Sequence, residues 1–251
     1  MKILILGDIH GRNCWKNIVE IEQPDLTIFE GDYVSSHELI SETQQINNLE
    51  RILQFKEENP DTVILLRGNH DNEALYEWAE CYPETGPAVK TYMNKNKERF
   101  LNNTQWIYQY KNIVFSHAGV SSVWMKNNNI EKLEDINTLE PSEIFGFTPN
   151  RMSDFGGSSE TQPPTWIRPW TLLNCGYKGI IHVVGHTQFK FGIDNLKNQS
   201  INVGYKQEDL DHMVDVWCCD ALPNQYLIIE NDKFILKNYD NRIPTESDIT
   251  E

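Results

Sequence analysis

Lys2-Ile3-Leu4-Ile5-Leu6-Gly7-Asp8-Ile9-His10-Gly11 opens the chain with an apolar run that stops abruptly at a glycine, an acid and a histidine. Apolar side chains at consecutive positions, rather than alternate ones, suit a strand covered on both faces. The same signature recurs at Leu26–Phe29, Val63–Leu66, Ile113–Phe115 and Ile180–Val184. Between the first two runs, Cys14–Ile21 is predicted to be helical with Asn13 as its N-cap. Between the second and third, Leu39–Glu58 carries Leu39, Ile46, Leu49, Ile52, Leu53 and Phe55 at roughly helical spacing, and Pro60 closes it. The first 66 residues therefore read β-α-β-α-β, and right-handed crossovers place their strands in a parallel sheet.

In such sheets ligands gather at the carboxyl ends of the strands. A polar block stands at each of those ends: Gly7-Asp8-Ile9-His10-Gly11, Gly31-Asp32, Gly68-Asn69-His70-Asp71, Ser116-His117-Ala118-Gly119 and Gly185-His186-Thr187. The oxygens of Asp8, Asp32 and Asn69 and the imidazoles of His10, His117 and His186 are donors that suit Mn, Fe, Zn or Ni. Asp8 and His10 are two apart, so persisting strand geometry would point them to the same side. Hydrolysing a phosphoester at neutral pH requires a strong nucleophile and cations facing the phosphoryl oxygens. Two metals ~3.5–4 Å apart supply both. His70, beside a ligand but not needed as one, is then free to protonate the leaving oxygen. Taken singly, each block has a plain structural reading: a turn after a strand, a helix cap at Asn69, a satisfied buried histidine. Their joint order is what points to a site.

The rest of the chain is read more coarsely. Glu73–Lys111 is helical in pattern, with aromatics at Tyr76, Trp78, Tyr82, Tyr92 and Trp106, and Ser121–Pro164 is loop-rich. Both are read as insertions, near 73–111 and 121–164, around the mouth of the site. Ser200–Val203, Met213–Cys219, Tyr226–Glu230 and Phe234–Tyr239 are read as strands of a second sheet packed on the first. Residues 1–240 are thus taken as one domain, and 241–251 as a frayed acidic tail. A net charge of −15 argues against nucleic acid or an anionic membrane as partner. It leaves small phosphorylated substrates open, because a local metal charge outweighs a distant acidic surface. The five cysteines are scattered without a C-x-x-C, which suggests neither a zinc ribbon nor a disulfide framework and fits a reducing cytoplasm. No apolar run approaches membrane length.

These blocks, in this order, resemble those of calcineurin-like metallophosphoesterases, nearest the branch of phosphoprotein phosphatases and symmetrical diadenosine tetraphosphatases. The resemblance implies an α/β fold, a four-layer α/β/β/α sandwich of two mixed sheets. It implies two divalent ions, Mn²⁺ foremost, with Fe, Zn or Ni as alternatives. Asp8, His10 and Asp32 would hold the first, and Asp32, Asn69, His117 and His186 the second, with Asp32 bridging. His70 would be the general acid. Trp166-Ile167-Arg168-Pro169 resembles the segment from which relatives bring an arginine to the phosphate, which makes Arg168 the candidate clamp. The implied activity is hydrolysis of a phosphomonoester or nucleotide phosphate by in-line attack of a metal-bound hydroxide. The substrate would be a small molecule, a nucleotide or a phosphoprotein.

The chain departs from the pattern at Gly31-Asp32-Tyr33-Val34-Ser35-Ser36, where phosphoprotein phosphatases carry Gly-Asp-x-Val-Asp-Arg. Ser35 replaces the acid that orients the general acid, and Ser36 replaces a phosphate-binding arginine. His37 and Glu38 stand next in line to substitute. Asp71, a Glu in protein phosphatases, leans toward the tetraphosphatases or a phosphodiesterase. Two readings from other classes stand beside the enzyme. One is a non-catalytic binding scaffold, against which all the ligand positions are filled. The other is a metal-dependent nuclease, against which the acidic balance speaks.

Overall fold

The computed structural model describes residues 1–147, 157–189 and 192–239. Its first elements are β1 (Lys2–Leu6), α1 (Trp15–Glu22), β2 (Leu26–Phe29), α2 (Glu42–Glu58) and β3 (Val63–Leu66). Strand β2 runs parallel to both β1 and β3, so the expected β-α-β-α-β unit is present. Consecutive apolar residues are required because each strand faces two cores. From β1, Leu4 and Leu6 pack with Trp15 and Ile18 of α1 and Leu49, Ile52 and Leu53 of α2. Ile3 and Ile5 point the other way, into a core shared with the second sheet.

Helix starts differ from the expectation. Helix α1 begins at Trp15, and its N-cap position is Cys14, not Asn13, with no side-chain cap bond. Helix α2 begins only after Ser41, which forms a capping box with Gln44, while Leu39 lies outside it, fully exposed. A satisfied cap outweighs one apolar residue in the pattern.

The chain then crosses to the second sheet through α3 (Asn69–Leu75), α4 (Pro87–Lys95), α5 (Lys97–Asn103) and the short β4 (Thr104–Gln105). Next come β5 (Ile107–Tyr110), β6 (Ile113–Ser116), α6 (Ser122–Asn127), α7 (Pro169–Cys175), β7 (Ile181–Val184) and β8 (Asp194–Asn195). They are followed by α8 (Leu196–Asn202), α9 (Gln207–His212), β9 (Asp215–Cys218), β10 (Gln225–Glu230) and β11 (Lys233–Asn238). One sheet has the order β11-β10-β1-β2-β3-β4 and the other β5-β6-β7-β9-β8. Both are mixed: β10 is antiparallel to β1, and β5 and β8 are antiparallel to their neighbours. Ile113, Phe115 and Val183 meet Ile5, Ile28 and Ile64 between the sheets. On the outer side of the second sheet, Val184, Val216 and Cys218 pack on Leu172 and Leu173 of α7 and Leu196 of α8. The result is the four-layer α/β/β/α sandwich.

Two expectations for the C-terminal part are corrected. Ser200–Val203 is not a strand but lies at the end of α8, whose Asn195 cap accepts from the Asn198 amide; a two-residue apolar alternation is too short to distinguish the periods. Tyr226–Glu230 and Phe234–Tyr239 form strands, but of the first sheet, because β10 pairs with β1 from Lys2↔Glu230 to Ile5↔Leu227. The acidic tail 241–251 and the stretch 148–156 lie outside the described residues.

Ile5 is fully buried between the sheets, whereas Leu39 is fully exposed. Ile5→Ala is expected to cost about 2–5 kcal/mol in urea unfolding. Leu39→Ser should stay within about 0.5 kcal/mol of the parent protein.

Candidate metal centre

The polar blocks all lie at the carboxyl ends of β1, β2, β3, β6 and β7, and the sandwich brings those ends together. Asp8, His10 and Asp32 place ligand atoms within 4.8 Å of one another, and so do Asp32, His117 and His186. Asp32 belongs to both groups. His10 Nε2 lies 3.8 Å from Asp8 Oδ2 and 3.9 Å from Asp32 Oδ2. His117 Nε2 lies 3.4 Å from that same Asp32 oxygen. Asn69 Oδ1 sits 2.9 Å from His117 Nε2 and 3.0 Å from His186 Nδ1. Every ligand expected from the sequence is therefore in the cluster.

Asp8 and His10 do not converge by strand alternation. His10 has φ 44°, and Asp32 and His186 have φ 50° and 61°. Left-handed backbone at such residues is sparsely populated and persists only when the surroundings enforce it. The glycines of the blocks leave room for the carboxylates. A Cβ on Gly68 would stand 2.0 Å from Asp32 Oδ1, and one on Gly185 would stand 2.2 Å from Asp8 Oδ1.

Hydrogen bonds around the cluster decide which lone pairs face inward. His117 Nδ1 contacts the Glu30 main-chain oxygen at 2.8 Å, and His10 Nδ1 contacts that of Val34 at 3.1 Å. A carbonyl oxygen can only accept, so each Nδ1 carries the proton and each Nε2 presents a lone pair. Burial lowers the imidazole pKa to about 3 for His117 and about 4 for His10, so neither ring carries a second proton at neutral pH. The short approach of His117 Nε2 to Asn69 Oδ1 and Asp32 Oδ2 is then acceptor against acceptor. Oxygens of Asp32 and Asn69 converging with the imidazole nitrogens of His117 and His186 form a donor set that fits a cation.

The carboxylates are held by the main chain. Asp71 accepts from the amides of Asp32, Tyr33 and Gly68 at 2.9–3.0 Å. Asp32 Oδ1 accepts from His70 N and Asp8 Oδ1 from His186 N, each at 2.9 Å. Burial, followed for Asp8 by the charge of Asp220 and for Asp32 by that of Asp8, pushes both acids well above the usual carboxylate range.

The cluster floors a cavity of about 500 Å³ whose walls include Arg12, His37, His70, Tyr82, Arg168 and Asp220. Arg168, the expected clamp, reaches it with Nη1 bonded to Thr187 Oγ1 at 3.0 Å and to the His186 main-chain oxygen at 3.3 Å. His70 is buried, its ring 4.1 Å from that of Tyr82, and its Nδ1 has no hydrogen-bond partner. Ser35, where an acid would orient it, bonds instead to Thr85 Oγ1 and Gln45. His37 stands edge-on to His10 and His70, with Nδ1 3.6 Å from Glu84. Arg12 and Asp220, which belong to none of the motif blocks, also line this cavity.

The calcineurin-like phosphoesterase family model matches residues 1–219. The chain belongs to that family. It is a metal-dependent phosphoric ester hydrolase by membership, since calcineurin-like phosphoesterases work with divalent ions. Among solved structures it is similar to a cold-active protein-tyrosine phosphatase of a psychrophilic Shewanella species. That likeness has a TM-score of 0.60 at 16% identity, over 94% of this chain and 77% of the other. It is also similar to a protein serine/threonine phosphatase from Saccharomyces cerevisiae, with a TM-score of 0.59 at 14% identity, over 98% and 82%. At such identities the likeness is one of fold. Among the described residues no helix is long and apolar enough to cross a membrane, and none of the five cysteines is paired.

The raised acids set a pH dependence. A carboxyl whose folded pKa exceeds its unfolded value stabilises the metal-free fold at low pH, and that stabilisation is lost as pH rises through the folded value. Bound divalent metal removes the loss. The gap in melting temperature between metal-loaded and metal-free protein should therefore widen with rising pH. Metal binding should release protons, fewer of them in Asp8→Asn, as calorimetry in buffers of different ionisation enthalpy will show.

Proposed function

We propose that the chain is a dinuclear phosphomonoesterase acting on a phosphorylated small molecule or nucleotide, with Mn²⁺ as its working metal. The observation that carries this reading is the shared position of Asp32. One carboxylate faces the Asp8–His10 side and the Asn69–His117–His186 side of a single cavity. In this reading Asp8, His10 and Asp32 hold one ion, and Asp32, Asn69, His117 and His186 the other. Two ions so placed supply an acidified water and a clamp on the phosphoryl oxygens. Residues 1–240 act as one domain with insertions near 73–111 and 121–164, in a reducing cytoplasm.

The remaining roles fall to side chains of the cavity wall. Arg168, steadied by Thr187, meets the phosphoryl oxygens with its guanidinium. Its position beside His186 puts that positive charge next to the second ligand group. Tyr82 lies against His70 at a tilt of 34° and restrains the ring in place of an acid partner. His70 faces the leaving oxygen as its proton donor, but burial lowers its imidazole pKa to about 2 and no carboxylate stands behind Nδ1, so its contribution is at the low end of general-acid catalysis. Substrates with good leaving groups, such as aryl phosphates and phosphoanhydrides, are accordingly favoured over alkyl esters.

Asp32→Asn is expected to abolish Mn²⁺-dependent hydrolysis of an aryl phosphomonoester and to weaken metal binding; retained turnover with metal bound would exclude a bridging Asp32. With the same substrate His70→Ala should lose roughly 10²-fold in kcat. Hydrolysis of a bis-aryl diester measured alongside should be slower than that of the monoester. A diester preference would instead favour a nucleotide phosphodiesterase.

A further inference from the structure

Arg12 follows the Gly7–Gly11 block, and its side chain is 11% exposed. Nε donates to Glu38 Oε1 at 2.8 Å and Nη1 donates to the Asp8 main-chain oxygen at 3.1 Å. The guanidinium is thus fixed from two sides. Its Nη2 edge makes no hydrogen bond among the described residues. A planar cation held in place with an open donor edge is suited to an oxyanion.

Its place in the fold gives that edge a second significance. Arg12 lines the cavity above the metal cluster and also an adjoining one of about 330 Å³, formed with Asn13, Gln44, Asn47, Asn48 and Arg51. Arg12 is the residue the two linings have in common. The second cavity contains two guanidiniums and four side-chain amides but no carboxylate. In a chain of net charge −15 a lining with no carboxylate departs from the overall acidic balance. Asn48 braces it, donating to the Arg12 main-chain oxygen and accepting from Trp15 Nε1. Arg168 stands with His186, and Arg12 with Asp8, so the two arginines address different sides of the cluster.

We propose that Arg12 and the cavity behind it form a subsite for a second phosphoryl group, adjacent to the one hydrolysed at the metal centre. The favoured substrate is then an oligophosphate. Water adds to the phosphorus at the cluster, the bridging P–O bond breaks, and the departing phosphate leaves on the Arg12 side with the bridging oxygen. This rests on the phosphoesterase reading, and it deepens that reading by naming the substrate class. A role for Arg12 as counter-ion to Glu38 alone would need neither the open edge nor the acid-free cavity.

Calorimetric titration of the protein with Mn²⁺ in excess, first with inorganic phosphate and then with methylenediphosphonate, tests the proposal. Wild-type protein should bind the diphosphonate at least about tenfold more tightly than phosphate. Arg12→Ala should lose most of that advantage while its phosphate affinity stays within about twofold, which also reports an intact metal centre. Glu38→Gln, which removes the competing acid, should tighten the diphosphonate alone. Equal loss of both ligands in Arg12→Ala, or an unchanged diphosphonate affinity in either variant, would overturn it. Failure of the phosphoesterase reading is separate: it shows as absence of Mn²⁺-dependent aryl phosphate hydrolysis in the wild type, whatever the titrations give.

Discussion

The approach of His117 Nε2 to Asp32 Oδ2 and Asn69 Oδ1, at 3.4 and 2.9 Å, is the constraint on which the rest of the molecule depends. Ligand atoms gathered so closely suit a cation among them, and the fold makes several local concessions to hold them there. His10, Asp32 and His186 adopt left-handed backbone. Gly68 and Gly185 forgo side chains so that Asp32 and Asp8 can approach. Asp71 is spent on three main-chain amides that fix the Asp32 turn.

Such a site is costly without its ions. Asp8, Asp32 and Asp71 are buried at one end of the sandwich, together with Glu30, both of whose carboxylate oxygens lack hydrogen-bond partners. Burial raises every one of these acids, and repulsion from neighbouring carboxylates adds to it for Asp8, Glu30 and Asp32. The rigid scaffold that tolerates this is the pair of sheets, whose shared core of isoleucine, valine and phenylalanine lies directly beneath the ligand-bearing turns. Stability is generated in that core and spent at the strand ends.

Much of this was legible in the sequence because the strands that carry ligands are buried on both faces and read as continuous apolar runs. Leu26–Phe29 and Val63–Leu66 match their strands residue for residue. The ligand residues were legible because only a few residue types can serve as donors and each follows such a run. What was not legible depends on partners distant in sequence. The pairing of β10 with β1 joins residues more than 220 positions apart, and nothing local in Tyr226–Glu230 distinguishes one sheet from the other. Arg12 escaped notice because its role comes from Glu38 and from a cavity completed by α2, not from a motif. The contact of Tyr82 with His70 likewise arises from the crossover between the sheets, where the pattern showed aromatics but not which of them turn inward.

Electron paramagnetic resonance of the Mn²⁺-loaded protein tests the shared carboxylate most directly. If Asp32 lies between two ions, the spectrum of the wild type will show an exchange-coupled pair. In Asp32→Asn that coupling will collapse to the hyperfine pattern of isolated ions. A wild-type spectrum of isolated ions at full loading would contradict the placement of Asp32 at the junction of two metal sites.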